Sequence, residues 1–199
     1  MGAIQVPDPR LVGIQPRIPI QRWRLTGNND QQTAQTLEIM GRLAVEASRD
    51  PHMIDWARSL VADLPNKAYE DEAARIFDHV KATVRYVHDP AGQETVTDPR
   101  WLLWVIGSGD CDDHSGPVAA LGLALGMGAA FRTVATTCET DPRTGVVTCP
   151  WAHVYAVLGI PRGNVVEWIP ADTAEGSALG WEPPADRVRR SRTWMLANP

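Results

Sequence analysis

The sequence predicts an α+β fold, and three observations carry that expectation. Apolar residues recur at helical spacing through residues 30 to 88, and strand-like alternation replaces it between 129 and 172. Between the two lies "GSGDCDDHSGPVAALGLALGMGAAFRTV", residues 107 to 134, where glycines, aspartates and one cysteine precede an apolar helical run. The predicted order is helices, then a cysteine at a helix start, then an antiparallel sheet against which that last helix packs.

Each element has its own signal. Residues 1–27 hold Pro7, Pro9, Pro16 and Pro19 among few helix formers, and since proline fixes φ and removes a backbone donor, an extended arm is expected there. The folded domain is expected over 28–185. Leu37, Met40, Ala44 and Ala47 follow a polar start at helical spacing, with Pro51 as the stop. Ile54, Ala57, Leu60, Val61 and Leu64 fit a second short helix. Tyr69, Ala73, Ile76, Phe77, Val80, Val84 and Val87 form one apolar stripe of a third, ended by Asp89-Pro90. After the cysteine-led helix, "AAFRTVATTC" (129–138), "AHVYAVLGI" (152–160) and "NVVEWIPAD" (164–172) read as strands, and "TDPRTG" (140–145) reads as a hairpin connection. The arginine-rich end, 186–199, is expected to be a basic tail, solvated or docked on a partner.

Composition limits the setting. The 199 residues, 44% hydrophobic and 22% charged, suffice for one globular domain. A net charge of -5 gives no general attraction to phosphate backbones or anionic lipid, so neither nucleic acid nor a membrane is expected as a partner. The first twenty residues lack an apolar run of signal-peptide length and no run approaches a membrane span, which points to a cytoplasmic location. Three cysteines, an odd number, do not read as a disulfide framework, so a reducing compartment is expected.

The placement of Cys111 is what suggests chemistry. A thiol at a helix N-terminus sits in the positive end of the helix dipole, beside unpaired N–H groups that favour thiolate and can stabilise an oxyanion. Such a nucleophile needs a base. His153 lies in a predicted strand whose alternation points His153 and Tyr155 to one face. Asp172, at the end of the following strand, can orient the imidazole across an antiparallel pair. His114 competes for the base role, since three residues along a helix it shares a face with Cys111. Pro117 requires either a kink in a helix begun at Cys111 or a later start at a Ser115 cap. Asp112 and Asp113 oppose thiolate formation, and the sequence does not sign the net effect. Cys138 and Cys149, with the Cys149-x3-His153 spacing, raise a zinc reading, but no CxxC pair exists. Core packing or a cross-strand contact is the expectation for both, and no metal or cofactor is expected. Trp101 and Trp104 are candidates to wall the cleft before the nucleophile.

The stretch 107–134, with "WAHVYAVLGI" and "VVEWIPADTAEGSALGW" after it, resembles the transglutaminase-like branch of the papain-like superfamily in its compact bacterial and phage form, over about residues 68 to 181. The resemblance implies a nucleophile at Cys111, a base at His153 and an orienting acid at Asp172. It also implies acyl transfer through a thioester, with water or an amine as acceptor. The animal cross-linking enzymes follow the cysteine with Trp, where this chain has Asp112. The expected function is therefore hydrolysis of a peptide or amide bond in a peptide or protein substrate. Two alternatives stand beside it: a structural or docking protein, for instance within a phage virion, assembling through the N-terminal arm or C-terminal tail, and a protein cross-linking enzyme.

Overall fold

The computed structural model of the chain describes residues 21, 23–90 and 93–196. Of the expected N-terminal arm, 1–27, only 21 and 23–27 are among the described residues, and the rest lies outside them. α1 (Asn29–Ser48) begins where Asn28 Oδ1 accepts from the Gln31 N–H while Gln31 Oε1 accepts from the Asn28 N–H, a reciprocal cap that satisfies two end groups. Its Leu37, Met40, Ala44 and Ala47 are all buried, as the stripe predicts. α2 (Pro51–Leu60) is capped by Asp50, which accepts from the His52 N–H, with Pro51 at the one helical position where a missing N–H costs nothing. α3 (Tyr69–Thr83) adds Ala73, Ile76, Phe77 and Val80 to the same core.

The stripe of α3 was expected to run to Val87, but the helix ends at Thr83 and Val87 is 41% exposed. The reason is a competing set of backbone hydrogen bonds. Arg85 and Val87 donate to the carbonyls of Gly107 and Gly109 at 2.9 and 2.8 Å, which draws β1 (Arg85–Tyr86) into a parallel pair with β2 (Ser108–Gly109). Upstream of β2, α4 (Pro99–Trp101) runs into a π-helical turn (Leu102–Ile106) closed by Gly107 at φ 64°.

α5 (Cys111–Ala124) is the central element, buried from Asp112 to Leu123 and packed on α1, α2, α3 and the sheet. From Pro117 onward it is apolar on all sides, as a helix in that position requires. It starts at Cys111 and continues past Pro117, so the later start at Ser115 is not the one adopted. Ser115 Oγ faces two carbonyls instead, Cys111 at 2.6 Å and Val154 at 3.2 Å.

The main sheet is antiparallel, with strand order β7-β6-β3-β8. Its strands are β3 (Gly128–Ala135), β6 (His153–Ile160), β7 (Glu167–Ala171) and β8 (Arg190–Met195). β3 and β6 pair in the register Val134 opposite His153, and β6 and β7 in the register Ala156 opposite Ala171. β4 (Glu139–Thr140) and β5 (Val147–Thr148) form a separate exposed hairpin.

Two expectations are corrected here. The stretch 186–199, read as a basic tail, supplies β8, paired with β3 from Ala130 to Ala135. Its arginines do not keep it in solvent because an edge strand tolerates charge on its open face, and Arg192 lies 4.0 Å over the Trp194 ring that packs against the core. Cys138 and Cys149 are joined in a disulfide. The pairing of Glu139 with Thr148 sets these cysteines opposite each other at the end of the hairpin. That bond removes the ground on which a reducing compartment was expected.

The junction into α5 admits no side chain at residue 109. A Cβ on Gly109 would lie 2.1 Å from Asp113 Oδ2 and 2.3 Å from Asp113 Cβ, an atom fixed to the helix backbone. Gly109→Ala is expected to displace the first turn of α5 and cost about 1–3 kcal/mol of stability. A lowered midpoint in a thermal unfolding scan checks this; an unchanged midpoint contradicts it.

Candidate active site

Cys111 is the first residue of α5, preceded by Asp110 in an extended conformation. Its thiol faces the backbone N–H of Val154, so the helix start and the first residues of β6 are in direct contact. Ser115 reinforces the same junction through its contacts with the carbonyls of Cys111 and Val154. The candidate nucleophile and the candidate base thus sit on two elements locked together one residue beyond His153.

His153 opens β6 and is 8% exposed. Its Nε2 lies 2.7 Å from Asp172 Oδ2, and its Nδ1 lies 3.9 Å from Glu175 Oε1. Asp172 follows directly on β7 and is 1% exposed, with Oδ1 accepting from the N–H groups of Glu175 at 2.9 Å and Ala174 at 3.1 Å. Burial pulls the Asp172 pKa up, but the hydrogen bond and charge of His153 and the two backbone N–H groups outweigh it and hold the carboxyl below its usual range. Cys111 and His153 line one cavity of about 260 Å³.

His114, the competing base, is placed differently. Its Nδ1 meets Thr173 Oγ1 at 3.3 Å and its ring lies 5.8 Å from that of Tyr86. Burial, aided by the charges of Lys81 and His153 and opposed by Asp172 and Asp110, pushes its pKa down to about 4. At neutral pH it is an uncharged ring paired with a hydroxyl, whereas His153 is the histidine bonded to a carboxylate.

The model of the transglutaminase-like superfamily matches residues 54–173. The chain belongs to the transglutaminase-like superfamily. Among solved structures, a candidate cysteine protease from Cytophaga hutchinsonii superposes on 73% of this chain with a TM-score of 0.46 and 18% identity. A candidate protease from Parabacteroides distasonis superposes on 74% with a TM-score of 0.45 and 12% identity. This chain spans 41% and 31% of the lengths of those two. No curated protein matches it.

In this transglutaminase-like domain the thiol is not a standing thiolate. Burial raises the Cys111 pKa, the charges of Asp112 and Asp110 raise it further, and only the Val154 N–H opposes them, which leaves it well above the ordinary thiol range. Burial and the neighbouring carboxyls thus act together against thiolate formation. Alkylation of Cys111 by iodoacetamide is therefore expected to keep rising about tenfold per pH unit beyond pH 9, where an ordinary thiol of pKa about 8.5 levels off. Asp110→Asn is expected to speed alkylation at fixed pH. A plateau below pH 8, read by intact-mass labelling, would show a thiolate–imidazolium pair instead.

Other walls of the cavity differ from expectation. Trp104 stacks on Trp56 with ring centroids 6.2 Å apart and packs with the core, and neither it nor Trp101 lines the cavity. Trp151 does, with Thr133 of β3 and the polar side of α1 at Asn29, Gln32 and Thr36. The spacing of Trp151, two residues before His153, was the one signal that could have found it. Because Cys138 and Cys149 are bonded to each other, they are not available as zinc ligands.

Proposed function

We propose that the protein is a thiol hydrolase of peptide or amide bonds, working through a Cys111 thioester with His153 as base and Asp172 as the orienting acid. The observation that carries this reading is the 2.7 Å contact between His153 Nε2 and Asp172 Oδ2, beside a cavity that His153 shares with the thiol at the start of α5. With Nε2 engaged by Asp172, Nδ1, 3.9 Å from Glu175 Oε1, is the nitrogen left to take a proton.

Because the thiol rests in its neutral form, attack is general-base catalysed. The Cys111 sulfur bonds to the substrate carbonyl carbon while its proton passes to His153 Nδ1, and Asp172 stabilises the resulting imidazolium. The oxyanion finds backbone N–H donors at the start of α5. Collapse expels the amine, which takes the proton from His153. Water then attacks the thioester, giving its proton to His153, and the acid leaves as the thiol is restored. Water is the default acceptor, since an amine prevails only where a site excludes water and orients the amine.

A non-catalytic structural protein retaining the fold is the competing reading, and the burial of the Cys111 thiol beside Asp110 and Asp112, which raises its pKa, is what favours it. Incubation with an activated p-nitrophenyl ester followed by intact-mass spectrometry separates the two. The hydrolase reading expects an acyl adduct on Cys111 that decays in water; no adduct, or one on another residue, overturns it.

A further inference from the structure

The cavity beside Cys111 carries a charge imbalance that acyl transfer does not use. Asp110 and Asp112 flank the nucleophile on its wall, Glu94 stands at its exposed rim, and among the described residues no lysine or arginine lines it. Asp112 is 4% exposed, and its Oδ2 and the buried Oδ1 of Asp110 meet no donor other than a proton shared between the two carboxyls. Nearby cations are already engaged: Arg190, stacked 3.9 Å over Trp151, is bonded to both oxygens of Asp30, and Arg100 is paired with Asp98 and Asp50.

A buried carboxylate without a counterion is costly, and such a group responds by holding its proton. That response is present. Burial and the neighbouring Asp110 and Asp113 carboxyls hold Asp112 well above its usual range, and partial burial with the charges of Asp110 and Asp89 raises Glu94. The remaining wall holds His153, paired with Asp172, and neutral groups: the Asn29, Gln32 and Thr36 side chains of α1 and the indole of Trp151. An entering cation favours the ionised form of these carboxyls, and carboxylates beside an aromatic ring and neutral polar groups suit an organic one. A hard metal ion fits less well. Asp113, the third carboxyl close to Asp110 and Asp112, is bonded to the Thr97 N–H at 2.7 Å and does not line the cavity.

We infer that this cavity is a subsite for an ammonium group, and that the substrate is a peptide or amide carrying a free primary amine near the carbonyl that Cys111 attacks. The substrate half rests on the proposed nucleophilic role of Cys111; the subsite does not, because it can be probed without turnover. Among the described residues Cys111 is the free thiol, so matched methanethiosulfonate reagents, one bearing a trimethylammonium group and one a sulfonate, report the local field at a single position. After division by their rates with a small free thiol, the cationic reagent is expected to label Cys111 at least about tenfold faster than the anionic one, the effect of a cleft lined by one sign of charge. Glu94→Gln and Asp110→Asn are each expected to reduce that ratio several-fold. A second arm compares one amide peptide with a free amine against its N-acetylated form. The free amine is expected to give the higher kcat/KM, chiefly through KM, with Glu94→Gln removing the advantage. Equal corrected labelling rates would overturn the subsite, and so would equal cleavage of both peptides. Charge-selective labelling with no cleavage of either peptide would support the subsite and overturn the hydrolase reading instead.

Discussion

Cys111→Ala is expected to abolish acyl-adduct formation with an activated ester, and His153→Ala to come close to doing so. The first removes the only atom proposed to bond the acyl carbon. The second removes the acceptor for a proton that the site does not release by itself, since burial and two aspartates hold the thiol neutral. The His153 variant should therefore recover part of its rate at high pH, where hydroxide supplies the thiolate, whereas Cys111→Ala should recover none. Intact-mass trapping on each variant across a pH series makes the comparison. An adduct of undiminished yield on Cys111→Ala would assign the nucleophile elsewhere.

Asp172→Asn is expected to slow adduct formation by about 10²- to 10⁴-fold while leaving the fold intact. The asymmetry of the Asp172 carboxylate explains both halves. Oδ1 accepts from the N–H groups of Ala174 and Glu175, so an asparagine must keep its carbonyl oxygen there. Its NH₂ group then takes the Oδ2 position against His153 Nε2 and favours the tautomer with the proton on Nδ1. That tautomer cannot accept the thiol proton. Because the three groups act as a unit, adding Asp172→Asn to Cys111→Ala should cost almost nothing further. A wild-type rate for Asp172→Asn would show that the 2.7 Å contact is structural only, and a large fall in unfolding midpoint would show that the backbone bonds, not the tautomer, were lost.

The parts of this architecture that were legible in the sequence are those written as a period. The buried face of α1 and most of that of α3 follow from helical spacing, and β3, β6 and β7 from strand-forming runs bounded by turn residues. The meeting of His153 with Asp172 was readable because consecutive antiparallel strands are neighbours. Features that depend on a distant partner were not. Val87 fits the α3 stripe and is claimed by Gly109, and Trp104 has the same composition signal as Trp151 but packs on Trp56. Glu94 carries no motif and reaches the cavity only through the course of its loop. The raised pKa of the thiol depends first on the burial of Cys111 itself and then on the carboxyls packed around it, which no local pattern states.

β8 has a consequence for the time order of synthesis. A ribosome that has added Asp172 has already joined Cys111, His153 and Asp172, while β3 still presents a bare edge from Ala130 to Ala135. That edge closes only when Arg190–Met195 emerge, as Leu196 donates to the Ala129 carbonyl and Arg190 reaches back to Asp30 at the start of α1. Those three side chains of a nascent chain therefore precede the completed sheet that carries His153, and during that interval the open strand can pair with a neighbouring chain.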